Sequence, residues 1–227
     1  MSRSSPDPLP ISIEIEGSTP ISGLLNCPPD ARACYVFAHG AGAGMAHAFM
    51  AAVARGLADR HIATLRYQFP YMERGSKRPD TPKVAHAAVR AAVAEAARRV
   101  PGVPLLAGGK SFGGRMTSQA QAETAMPGVA GLVFVGLPLH PAGKPADDRA
   151  QHLSGVHIPM LFLQGTRDEL ADLALLRPVV ERLGAKATLV LFDEADHSFH
   201  VPSRSGRRDA DVLAALLDSI SQWVSEV

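Results

Sequence analysis

The chain has 227 residues, 23 basic against 22 acidic side chains, 46% hydrophobic residues and two cysteines. The near balance of charge removes any general electrostatic case for nucleic acid or an anionic membrane as partner, and no apolar run approaches the ~18 residues of a membrane helix. Cys27 and Cys34 make neither a disulfide framework nor a metal signature, and fit buried thiols in a reducing cytosol, so a cytoplasmic protein is expected.

The opening MSRSSPDPLP has no apolar core of a signal peptide and reads as a disordered tail over residues 1–10. The remainder, 11–227, has the length of one well-buried domain. Residues 11–16 alternate apolar and polar as a half-exposed strand, with 20–26 as its hairpin partner. Residues 33–38, ACYVFA, form a continuous apolar run, the pattern of a strand buried on both faces. A glycine-rich turn, a helix over 47–59 and a strand over 62–67 follow. Residues 68–81 read as a loop and 82–100 as an alanine-rich helix with a solvated charged face. A short strand at 103–107 runs into the turn GGKSFGG, then a helix over 114–125 and a strand over 129–136. After a Pro- and Gly-rich loop at 137–150 come strand 159–164, helix 172–183, strand 188–192 and helix 209–226. Strands alternating with helices predict an α/β protein: a mostly parallel sheet of about seven or eight strands, an antiparallel N-terminal hairpin and helices on both faces.

The turn at 108–114 has two readings. Gly109-Lys110-Ser111 is the tail of a phosphate-binding loop, but the first glycine of that motif falls at position 104, which is Pro104. Gly109-Lys110-Ser111-Phe112-Gly113 is also G-x-S-x-G, the sharp strand-to-helix turn that presents a serine nucleophile. Side chains two residues either side of that serine would collide, hence the glycines. The strand before and helix after favour the second reading. The partners then follow in the order serine, acid, histidine. Asp168 lies just beyond the strand ending in Gln164-Gly165, and His197 beyond the strand at 188–192. In this arrangement Ser111 attacks, His197 carries its proton, and Asp168 orients His197. Asp172, Asp193, Glu194 and Asp196 are rival acids, and His200 a rival base.

The turn His39-Gly-Ala-Gly-Ala-Gly44 also follows a buried strand. A dinucleotide-binding turn would need Gly or Ala at position 45, where Met45 stands, and no acid ends the next strand. The backbone N–H of Ala41, with Gly42 as the alternative, pairs instead with that of Phe112 as a candidate oxyanion hole. Lys110 reads as packing or hydrogen bonding behind the sheet, not as a base.

These residues resemble the α/β-hydrolase superfamily over nearly the whole chain. Within it they are similar to a small, poorly characterised subgroup of predicted hydrolases, distantly similar to dienelactone hydrolases. The features are H39-G-A-G-A-G, R66-Y-Q-F-P-Y71, G109-K-S-F-G-G-R115, G136-L-P-L-H-P-A-G-K144, Q164-G-T-R-D168 and D196-H-S-F199. The resemblance implies a serine-hydrolase triad at Ser111, Asp168 and His197, with no metal and no organic cofactor. It departs from dienelactone hydrolases in placing Ser111 where those have a cysteine, so lactone specificity does not carry over.

A chain this short has no room for a full cap domain, so the loops 68–81 and 137–153 are expected to shape the pocket. Phe69, Tyr71 and Met72 are candidates for an apolar wall, against simple packing of the loop. Arg78 and Arg115, with Arg74, Lys77 and Lys144, are candidates for binding an acidic group, against simple solvation. His140 is a candidate pocket residue, against a structural, hydrogen-bonded histidine. The expected function is cleavage of a small ester, thioester or amide, with a small-molecule acyl substrate as the one partner. Two other readings of the same residues stay open: a non-catalytic binding protein of the same fold, and an acyltransferase on the same triad.

Overall fold

The computed structural model describes residues 7–227. Its centre is an eight-stranded sheet: β1 (Leu9–Ile13), β2 (Ile21–Asn26), β3 (Ala33–Ala38), β4 (Ile62–Tyr67), β5 (Leu105–Lys110), β6 (Val129–Val135), β7 (Met160–Gly165) and β8 (Ala187–Phe192). The spatial order is β1-β2-β4-β3-β5-β6-β7-β8. β1 pairs antiparallel with β2 and β2 with β4; every other pairing is parallel. The expected architecture, α/β with an antiparallel leading hairpin, is the one observed.

Burial follows position in the sheet. Central β3 and β4 are buried along their whole length, while edge strand β1 alternates. On one face, α1 (Ala48–Ala58) and α6 (Asp209–Trp223) cover Tyr35, Phe37, Val133 and Leu161. On the other, α3 (Pro82–Arg99), α4 (Phe112–Glu123) and α5 (Leu173–Leu183) cover Val36, Leu65, Phe134 and Phe162.

Several boundaries differ from expectation. β1 starts at Leu9, because Leu9 and Pro10 already pair with Leu25 and Leu24, so the expected tail loses these residues to the sheet; positions 1–6 lie outside the described residues. The segment 68–81 is not all loop: Pro70, with its fixed φ, starts a single helical turn, α2 (Pro70–Glu73). A 3₁₀ stretch at Asp148–Gly155 closes the loop after β6. The shift that bears on the site is at β5, which runs on through Gly108 and Gly109 to Lys110, so α4 begins at Phe112. The two glycines are strand residues in very close contact. A Cβ on Gly108 would lie 1.9 Å from the Val133 carbonyl oxygen, and one on Gly109 2.4 Å from that of Ala38.

β3 leads to β4 on one side and the chain then returns to β5 on the other, so the strand order reverses between β3 and β5. In open α/β sheets ligands bind at the carboxyl ends of the strands at such a reversal. The segments following β3, β5, β7 and β8 carry the candidate residues to that edge. No capping domain stands over it: among the described residues the helical inserts are short, α2 and the 3₁₀ stretches Asp148–Gly155, Gly184–Lys186 and Ser203–Ser205.

Candidate active site

Ser111 joins β5 directly to α4 with φ 51° and ψ −114°. A non-glycine residue in the left-handed region is strained and needs surroundings that hold it. Its N–H donates to the Val135 carbonyl at 3.1 Å. Gly113, two residues on, leaves no room for a side chain: a Cβ would sit 2.6 Å from the same Ala38 oxygen that crowds Gly109. Both glycines of the motif therefore answer to one carbonyl on β3.

His197 Nε2 is 2.8 Å from Ser111 Oγ, and His197 Nδ1 is 2.7 Å from Asp168 Oδ2. An ionised carboxylate only accepts, so Nδ1 carries the hydrogen and the neutral ring offers Nε2 as acceptor to the Ser111 hydroxyl. The Asp168 carboxylate is fully buried. It also accepts from Leu170 N–H at 2.8 Å and from the Gln164 amide, so the buried group has three donors. Of the rivals, Asp196 caps Ser198 and His200 through their N–H groups, Asp172 caps α5, and Glu194 pairs with Arg167 at 3.5 Å. His200 pairs with Asp209 at the surface.

The remainder of Q164-G-T-R-D168 binds the two loops together. Gly165 presses on the loop after β8, where a Cβ would meet the Ala195 oxygen at 2.3 Å. Thr166 Oγ1 accepts from Glu194 N–H at 2.9 Å, and Arg167 N–H donates to the Ala195 carbonyl at 2.9 Å.

Among the described residues, the N–H groups of Ala41 and Phe112 are engaged by no other group of the chain. That of Gly42, the sequence alternative, donates to Tyr71 Oη at 3.1 Å and is taken. The loop 39–45 is held in place by R66-Y-Q-F-P-Y71. Arg66 donates to the Met45 carbonyl and Gln68 accepts from Met45 N–H. Phe69 N–H donates to His39 Nε2 at 3.1 Å, which leaves Nδ1–H to donate to the Gly40 carbonyl at 2.7 Å. Burial pushes the His39 pKa down, in keeping with a neutral ring.

Ser111 and His197 open on a cleft of about 420 Å³, also lined by Ala41, Phe49, Met50, Lys110 and Leu170. The expected wall differs. Phe69 and Tyr71 are fully buried and pack edge-to-face around His39 and Phe112, beneath the loop rather than beside the cleft. The apolar wall is Phe49, Met50 and Leu170. Its sequence signal was position: Phe49 and Met50 open the helix after the glycine loop, and Leu170 follows Asp168 by two. Arg78 is exposed and Arg115 is half-buried over the Phe112 ring; neither lines this cleft. His140 is buried, facing the Pro141 carbonyl at 2.9 Å and accepting from Asp172 N–H at 3.2 Å; it borders a neighbouring cleft. Lys110 is not behind the sheet as expected: it lines the cleft and donates to the His197 carbonyl. Among the described residues no group of three His, Cys, Asp or Glu side chains is arranged to hold a metal ion.

The family model for an α/β-hydrolase domain matches residues 31–225. The fold is shared with solved structures of low identity. Dienelactone hydrolase from Anabaena variabilis superposes with a TM-score of 0.79 at 22% identity, over 98% of both chains. A lidless α/β serine hydrolase from Xanthomonas campestris gives 0.74 at 22%, over 96% of this chain and 95% of that one. The esterase domain of a Rhodothermus marinus protein gives 0.71 at 17%, over 96% and 98%.

Proposed function

The chain belongs to the α/β-hydrolase domain family, and we propose that it is a serine hydrolase that cleaves a small ester, thioester or amide through an acyl-serine intermediate. The hydrogen-bonded chain from Asp168 through His197 to Ser111, opening on a cleft, carries this reading. Ser111 Oγ attacks the carbonyl carbon while His197 Nε2 takes its proton. The oxyanion turns to the free N–H groups of Ala41 and Phe112. His197 returns the proton to the leaving group, and water then repeats the sequence on the acyl-serine. The apolar wall of Phe49, Met50 and Leu170 favours a compact apolar acyl group. A serine hydrolase with a lidless scaffold and an esterase domain among the fold relatives are consistent with an ester as substrate. A cytoplasmic setting belongs to the same proposal, on the strength of two unpaired thiols.

Stopped-flow hydrolysis of p-nitrophenyl acetate and butyrate tests this. The expected result is a nitrophenolate burst of one equivalent per chain or steady turnover, both lost in Ser111→Ala. Product release unaffected by Ser111→Ala would contradict it. Absence of turnover by folded protein would favour a non-catalytic binding role.

A further inference from the structure

We propose that Lys110 is a positioning residue: its side chain holds His197 in register with Ser111 by donating to the His197 backbone carbonyl. The proposal rests on the hydrolase reading of the same site. Lys110 ends β5 next to Ser111, but its side chain turns to the loop after β8, where Nζ lies 2.6 Å from the His197 oxygen. The imidazole is held at Nδ1 by Asp168 and meets Ser111 at Nε2. The lysine adds a third hold, on the backbone of the same residue.

That loop needs such a hold. Glu194 and Phe199, on either side of His197, are non-glycine residues at φ 58° and 63°, strained conformations that persist only where surroundings impose them. Gly136 makes room for the arrangement. A Cβ there would lie 3.1 Å from Lys110 Nζ and 3.4 Å from His197 Cε1 and Nδ1, so amine and imidazole meet over one glycine.

The choice of lysine is costly for folding alone. Among the described residues the ammonium forms no ion pair; it has a carbonyl and, at 5.7 Å from its centroid, the Phe199 ring. Methionine would fill a similar volume without holding a charge at this part-buried position. Burial pushes the Lys110 pKa down to about 8, against the pull of Asp168 and Asp196. The groups facing it are Ser111 on its own segment, Asp168 after β7, and Asp196, His197 and Phe199 after β8. The charged form therefore prevails below about pH 8, and above it the contact declines to that of a neutral amine.

The test compares wild type, Lys110→Met, and Lys110→Cys aminoethylated with 2-bromoethylamine, the last in a Cys27→Ser background because Cys27 is exposed and Cys34 buried. Labelling by a fluorophosphonate and turnover of p-nitrophenyl acetate are followed from pH 6 to 9. Losing a hydrogen bond from a charged donor predicts a drop of about ten- to a hundredfold in kcat and in labelling rate for Lys110→Met, with KM within about twofold. Restoring the amine in the modified cysteine variant should recover most of the rate, and a decline above pH 8 in wild type should be absent from Lys110→Met. Wild-type rates in Lys110→Met, or no recovery after complete aminoethylation shown by mass, would overturn the proposal. Should Lys110→Met not fold, the aminoethylation arm decides. If wild type itself does not label, the hydrolase reading fails and this inference falls with it; normal labelling of wild type and Lys110→Met alike sinks the inference alone.

Discussion

Asp168 is the residue where the proposed chemistry is most sharply defined, because its buried carboxylate fixes which nitrogen of His197 bears the hydrogen. Asp168→Asn keeps the size but offers an N–H toward Nδ1, which favours the tautomer that cannot accept from Ser111. A loss in kcat of about a thousand- to ten-thousandfold is expected with little change in KM, read from steady-state ester hydrolysis. Loss below tenfold would mean that Asp168 does not orient the base. Ser111, Asp168 and His197 were legible because each lies just past a strand and the three follow one chemical order. Their supports were not. Gln164 reaches Asp168, Thr166 reaches Glu194 and Tyr71 takes the Gly42 amide, contacts set by how the loops fold back on one another. The two aromatics expected in the pocket wall, Phe69 and Tyr71, show the limit: their apolar character was evident, but not which side of the loop they would fill.

At the scale of elements, hydrophobic runs placed most boundaries well: β3 and β4 fall on the expected residues 33–38 and 62–67. β5 was misplaced because glycine pairs signal turns in sequence, whereas Gly108 and Gly109 are there to let strands and α4 approach. Gly131 has the same use on the other face, where a Cβ would lie 2.5 Å from the Trp223 indole of α6. One docking is tied to pH. The 3₁₀ stretch 148–155 meets α4 where His152 Nε2 lies 2.7 Å from Ser118 Oγ. The Ser118 hydroxyl donates to the Arg115 carbonyl, so His152 donates through Nε2–H as a neutral ring. Burial, then the nearby Arg115 and His86, push its pKa from 6.5 to about 4. Between those values the unfolded chain binds a proton that the folded chain does not, so the stability from this site is full above pH 6.5 and lost as pH falls toward 4. His200, raised by Asp209, works in the opposite direction, but it is exposed and its pairing is screened by solvent. Thermal melts from pH 7 to 4 should show a falling midpoint, with a shallower slope in His152→Gln. Equal slopes would mean that His152 titrates freely in the folded protein.

Across the whole molecule, the sheet brings together four segments far apart in sequence because parallel strands all end at the same edge. The turn after β3 supplies the unengaged Ala41 amide, the end of β5 the serine and the Phe112 amide, β7 the carboxylate and β8 the histidine. The reversal of strand order between β3 and β5 opens the space between Ala41 and Ser111. This much follows from the alternation of strands and helices, which is why the fold class was readable from the chain alone. The substrate was less so, since the cleft wall comes from α1 and the segment after Asp168, and their facing depends on packing that no periodicity reveals. The central claim is that Ser111 is a nucleophile activated by His197. Intact-protein mass after fluorophosphonate treatment tests it most directly, on wild type, Ser111→Ala and His197→Ala. One adduct per wild-type chain, none on Ser111→Ala and a strongly slowed reaction on His197→Ala is the predicted result. A folded wild type that takes no adduct, or an adduct that survives Ser111→Ala, would contradict it.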